Sequence, residues 1–276
     1  MTSERRERFA AVLGLPRSGT TLLTALLDEH PALCLYFEPF NASPKNRPPV
    51  ANSADEFRSW MKRRFAIAAP KTANVIGFKE TTTNADTIRW ALDTVSRLSA
   101  TCDVTVIWIQ RDPIHCLLSK LEGARKWWGY PDAHLSRESL ESFLLDTQKS
   151  YDDIEALLTN HGGWVVRYEA LVRDPSAILE TLMPAVGEKF DPVQLGYHSR
   201  QLPAELRRKV MGDPGLIESP SAVSVDAFEA RTREAASHSA LIDTVRSQPR
   251  FAALVERFER YAALPDVAEL PAHLLP

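Results

Sequence analysis

The chain has 276 residues, 44% of them hydrophobic and 25% charged, which suits one globular α/β domain with a sizeable core. Thirty-three Lys and Arg against 36 Asp and Glu leave a formal charge of −3, so the overall balance speaks against nucleic-acid or polybasic membrane binding, and any anion site must be local. No run of about 18 apolar residues occurs, and Cys34, Cys102 and Cys116 lack metal-ligand spacing, so a soluble, cytoplasmic protein with reduced, packed thiols is expected.

The first apolar run, 8–14, reads as a strand that feeds a glycine-rich loop and a helix over 19–29. A nucleotide triphosphatase loop reads G-x-x-x-x-G-K-[ST]; here Gly14 and Gly19 keep the spacing while Thr20 stands where the Lys belongs. Arg17 is the only cation of the loop. The backbone N–H groups of 14–21 form a nest for an anion at a helix N-terminus, and the hydroxyls of Ser18, Thr20 and Thr21 add donors.

A short strand over 33–37 ends at Glu38, and the segment 41–49, rich in Pro, Asn and Ser, reads as an irregular excursion placed to cover a site as a lid. A helix over 53–68, a strand over 74–79, a helix over 84–99 and a strand over 104–110 come next. In a magnesium-dependent triphosphatase an aspartate after the second strand helps hold the metal. Here that strand runs into Arg111, which suits a second phosphate better than a metal, and Asp112 reads as the N-cap of a helix over 113–126. Beyond lie a helix over 137–160, a strand over 163–168 and a helix over 169–186. From 187 to 248 periodicity weakens into a long loop region, and it resumes in a helix over 249–262.

The alternation predicts a P-loop-type parallel sheet flanked by helices. Residues 1–276 form one domain, with a core over about 8–186 and a lid, loop and C-terminal helix over 187–276. Ligands should bind at the carboxyl edge of the strands.

Three segments resemble the sulfotransferases that use 3′-phosphoadenosine 5′-phosphosulfate (PAPS). Pro16-Arg-Ser-Gly-Thr-Thr21 is similar to their 5′-phosphosulfate loop. Arg111-Asp-Pro with Ser119 is similar to their 3′-phosphate motif, and Tyr168 lies in a Tyr-Glu-x-Leu segment whose Tyr sits near adenine in the family. Together the motifs cover about 8–215. The resemblance implies PAPS as co-substrate, adenosine 3′,5′-bisphosphate as product, a hydroxyl-bearing carbohydrate or small molecule as acceptor, and no metal. It places Arg17, Ser18, Gly19, Thr20 and Thr21 at the 5′ end, Arg111 and Ser119 at the 3′-phosphate, and Arg208 and Lys209 in a late segment that closes over that phosphate. Leu22 stands where cytosolic members have a Trp against adenine.

The acceptor needs a base, and the His30-Pro turn followed by Glu38 resembles heparan-type sulfotransferases, whose glutamate fills that role. The cytosolic type instead carries a His two residues after a strand-end Lys; here Lys79 matches the Lys but Thr81 occupies the His position. Glu38 is therefore the expected base, Glu80 the alternative, and Lys79 a contact to the sulfuryl or bridging oxygen. His30 and His115 read as structural. Tyr36, Phe37, Phe40, Trp127, Trp128 and Tyr130 could line an acceptor pocket or fill the core. Two other readings stay open: a P-loop kinase or triphosphatase, and a non-catalytic bisphosphate-binding protein with no use for Glu38.

Overall fold

The computed structural model describes residues 6–41, 50–65, 73–81, 85–126, 137–199, 224–226, 228–230, 233 and 239–272. Six strands form one sheet: β1 (Glu7–Gly14), β2 (Leu33–Phe37), β3 (Val75–Thr81), β4 (Cys102–Gln110), β5 (Gly163–Arg167) and β6 (Val267–Leu270), in the order β2-β3-β1-β4-β5-β6. The first five are mutually parallel, as expected; β6 runs antiparallel to β5 and closes that edge. A four-residue Val-Ala-Glu-Leu segment has no periodicity that marks it as a strand, and only the exposed edge of β5 recruits it.

Helices cover both faces, which is why the central strands are apolar at every position rather than at alternate ones. Phe9, Ala11 and Leu13 of β1 join Phe78 of β3 and Trp108 of β4 on one face, packed by α2 (Ala54–Phe65), α3 (Ala85–Leu98), α4 (Pro113–Lys126) and α5 (Arg137–His161). On the other face Ala10, Val12, Ile107 and Ile109 meet α1 (Thr20–Asp28), α6 (Tyr168–Arg173) and α7 (Pro175–Leu182).

The expected helix over 169–186 is in fact three pieces: α6, α7 and a 3-10 turn, Met183–Val186. Asp174 breaks it, since a residue before proline is steered out of the helical region; its side chain then caps α7 by accepting from Ala177 N–H at 3.0 Å. The expected loop over 187–248 likewise holds a 3-10 helix, Pro192–Ser199, and α8 (Ser239–Arg246). The final helix, α9 (Pro249–Ala262), docks on α5 and β4: Arg257 donates to Asp152 and Glu155, and the Tyr261 ring meets Trp108 edge-on at 4.8 Å.

Candidate active site

The central strand β1 ends at Gly14, level with Thr81 of β3 and Ile109 of β4, so the chain segments leaving these three strands share one edge of the sheet. The chain turns through Arg17 (φ 72°) and Gly19 (φ 98°), with Ser18 N–H donating to Leu15 C=O at 3.1 Å, and enters α1 at Thr20. Gly19 is obligatory twice over, because its backbone is left-handed and a Cβ there would run into the Tyr168 ring. The first-turn amides of a helix have no intrahelical acceptor, an arrangement suited to an anion, and Thr21 lies half-buried on that turn of α1. Ser18 Oγ and Arg111 Nε are buried and have no hydrogen-bond partner among the described residues.

Arg111, 7% exposed at the end of β4, ties the second phosphate motif to the first: Nη1 donates to the Arg17 carbonyl at 2.9 Å. Its guanidinium lies 4.4 Å from the Tyr168 ring centroid. Arg17 Nε donates to Ser119 Oγ on α4 at 3.0 Å. Asp112 is the expected N-cap, accepting from Ile114 N–H at 2.7 Å. Eight expected donor-site residues, Arg17, Ser18, Gly19, Thr20, Thr21, Arg111, Ser119 and Tyr168, thus lie together at the loop and the β4–α4 junction. Phe228, from the segment expected to be loop, packs on Tyr168 at 6.0 Å, and Leu22 is buried in the same cluster. Arg208 and Lys209 lie outside the described residues.

On the other side of β1, Glu38 leaves β2 with φ 48°. Its N–H donates to Lys79 C=O at 2.7 Å, carrying the β2–β3 ladder one step further. The Lys79 ammonium, 1% exposed, donates to Glu38 Oε1; Thr81 Oγ1 lies 3.5 Å from the same oxygen, and Asn41 Nδ2 donates to Oε2 at 2.9 Å. Burial works against the charge on Glu38, but the adjacent ammonium and these hydrogen bonds outweigh it and hold the carboxyl below its usual range. Glu80, fully buried, has the opposite balance: burial first, then the Glu38 charge, push it well above the usual carboxylate range, against weaker help from Lys79 and two backbone N–H groups.

Sequence reasoning missed Asn41 and Thr81 as partners of Glu38, and Phe228 as a neighbour of Tyr168; Thr81 was marked only by the histidine it replaces. For two of the aromatics the core reading holds. Tyr36 and Phe40 are 5% and 1% exposed and pack with Phe57 and Phe78, so they fill the core, while Phe37 is half-buried. Trp127, Trp128 and Tyr130 lie outside the described residues. His30 is structural, its Nδ1 accepting from Ala32 N–H at 3.2 Å, and the three cysteines are buried and form no disulfide. Among the described residues no three His, Cys, Asp or Glu gather in a way that could hold a metal ion, and no helix is long and apolar enough to cross a membrane.

A sequence profile of the Sulfotransferase family matches residues 10–192, two thirds of the chain. The chain belongs to the sulfotransferase family. In this sulfotransferase the matched span runs from β1 into the second 3-10 helix and takes in Arg17, Glu38, Lys79, Arg111, Ser119 and Tyr168. The fold is similar to that of the sulfotransferase domain of the Synechococcus PCC 7002 olefin synthase, with TM-score 0.54 and 19% identity over 95% of this chain and 98% of that one. The sulfotransferase domain from the curacin biosynthetic pathway gives 0.54 and 14% over 86% and 99%. Mouse sulfotransferase SULT7A1, in complex with PAP, gives 0.52 and 16% over 94% and 89%. No curated protein matches the sequence.

Proposed function

We propose that this enzyme moves the sulfuryl group of PAPS to the hydroxyl of a carbohydrate or small-molecule acceptor and releases adenosine 3′,5′-bisphosphate. The observation that carries this reading is backbone strain. Among the described residues only two non-glycines have positive φ, Arg17 and Glu38, and they lie in the segments leaving β1 and β2, the two strands that flank β3. Such strain persists only where the surroundings enforce it, and it concentrates where a side chain must be aimed.

The donor's charges match the groups present. The amides of the loop, with Arg17, Ser18, Gly19, Thr20 and Thr21, suit the 5′-phosphosulfate, and the unpartnered Ser18 Oγ and Arg111 Nε await an acceptor atom. Arg111, with Ser119 and on the family pattern Arg208 and Lys209, suits the 3′-phosphate; Tyr168 suits the adenine. The mouse neighbour, solved with PAP, supports the same class of donor.

In the reaction Glu38 takes the acceptor's hydroxyl proton. The acceptor oxygen forms a bond to sulfur as the bridging sulfur–oxygen bond breaks in line, and the electron pair leaves on the 5′-phosphate. Arg17 and Lys79 offset the charge that develops on the transferring and leaving groups, so positioning and fixed cations can drive the step without a divalent metal. Glu38 is a weak base while Lys79 holds it. Drawing the ammonium toward the sulfuryl group removes that partner, and burial then raises the basicity of Glu38 when the acceptor arrives.

Thermal unfolding tests the reading. Adenosine 3′,5′-bisphosphate in EDTA should raise the melting temperature by mass action. A rise only with ATP and Mg²⁺ would overturn the proposal in favour of a kinase or triphosphatase.

A further inference from the structure

Glu80 has no part in the reaction just described, yet it is a fully buried acid next to Lys79. Side chains alternate along β3, so Lys79 faces the α1 side of the sheet and Glu80 faces Phe78 and the α2–α3 side. From there its carboxyl reaches across to the chain leaving β2: Oε2 accepts from Phe40 N–H at 3.0 Å and Oε1 from Thr81 N–H at 3.1 Å. The geometry points to Glu80 as a positioning residue that fastens the Glu38–Asn41 turn to β3 and thereby aims the base. This rests on the reading of Glu38 as the proton acceptor.

The tripeptide Lys79-Glu80-Thr81 is a template for that turn. Lys79 C=O accepts from Glu38 N–H, its ammonium holds Oε1, and Thr81 Oγ1 lies beside the same oxygen. Within the turn Asn41 N–H donates back to Glu38 C=O at 3.2 Å. Pro39 has no N–H to offer, and Phe40 N–H links the turn's backbone to the Glu80 side chain of β3. Releasing that link would leave a buried donor unpaired and free a left-handed residue to relax. The charged groups that act on Glu80 are Glu38 and Lys79, and both its burial and the Glu38 charge favour the neutral acid. A neutral Glu80 leaves the ammonium to Glu38, so the acid can fasten the base without competing for its partner.

This role separates two substitutions that a catalytic acid would rank the other way. Glu80→Gln keeps the length and gives up the bond from Thr81 N–H, which an NH₂ group cannot accept, but its one amide oxygen can still accept from Phe40 N–H. Glu80→Asp keeps the ionisable group but is one methylene too short to reach it. With PAPS as donor and 2-naphthol or water as acceptor, release of adenosine 3′,5′-bisphosphate should stay within about threefold of wild type in Glu80→Gln. In Glu80→Asp it should fall about 10- to 100-fold, the scale expected when a reacting group is misplaced by about an ångström. Affinity for adenosine 3′,5′-bisphosphate should be unchanged in both, which also verifies folding, and the acidic limb of the pH–rate profile should keep its position in Glu80→Gln. A loss in Glu80→Gln as large as in Glu38→Gln, with Glu80→Asp active, would make Glu80 the base and overturn the inference. Equal, near-wild-type turnover in both variants would also overturn it. Wild type that binds the bisphosphate but releases none from PAPS would remove the proposed function and this inference together, a result separate from either variant outcome.

Discussion

The phosphate loop and the base turn flank the same strand end, and both hold one non-glycine residue in the left-handed region, but they do so by different means. The loop is local. Ser18 N–H closes on Leu15 C=O, and the binding groups are largely backbone amides whose direction α1 fixes. The turn at Glu38 is assembled across the sheet, by Lys79, Glu80 and Thr81 acting on residues some 40 positions earlier, and in the proposed reaction its part falls to one carboxylate. On the proposed function the loop binds and the turn reacts, so damage to each should appear in a different measurement.

The largest expected effect is on the turn. Glu38→Gln should lower turnover about 10²- to 10⁴-fold, the usual contribution of a general base. Calorimetric affinity for adenosine 3′,5′-bisphosphate should stay within about twofold of wild type. A parallel collapse of affinity would mean that the two regions are one binding unit.

Arg111→Ala attacks the other side. Loss of charge-assisted hydrogen bonds should weaken the bisphosphate roughly 10- to 100-fold in the same calorimetry, while turnover at saturating donor changes less. Undiminished affinity would remove Arg111 from the 3′-phosphate.

The smallest effect sharpens the contrast inside the turn itself, where two adjacent acids should have opposite pH signatures. Glu38 lies below its unfolded value when folded, so its stabilisation is present above the ordinary carboxylate range and is lost as pH falls through the folded value. Glu80 lies above its unfolded value, so its contribution is full at low pH and declines as pH rises from about 4.3 toward the folded value. Urea unfolding should accordingly show Glu80→Gln gaining stability relative to wild type between pH 4 and pH 8. A difference that is constant with pH would show that Glu80 is ionised in the folded protein.

Much of the binding half was legible from residues 8–21 and 104–119, because a strand, two glycines at fixed spacing and a following helix are enough to specify a phosphate nest. Arg111 and Ser119 were legible for a related reason: both lie within one strand–helix junction. In the C-terminal part the helix over 249–262 was legible but little else was. The break at Asp174-Pro175 was written in the chain, but apolar periodicity continued through it, and β6 and α8 were too short or too weakly patterned to stand out from the rest of 187–272. Tyr36 and Phe40 could be pocket or core material because ring size does not tell which side is buried; the fold packs Tyr36 on Phe57 of α2 and Phe40 on Phe78 of β3.

The sequence by itself determined the parallel α/β order, the phosphate loop with its cation at Arg17, and Glu38 as an acid ending the second strand, since each depends on neighbours within a few residues. Only the tertiary structure decided what surrounds that acid. The β2–β3 register sets Glu38 beside Lys79, puts Glu80 on the opposite face with its carboxyl on Phe40 N–H, and gives two consecutive titratable residues of one strand different work. Charge state in a buried site depends on distance and burial, and those are properties of the packed sheet rather than of any one segment.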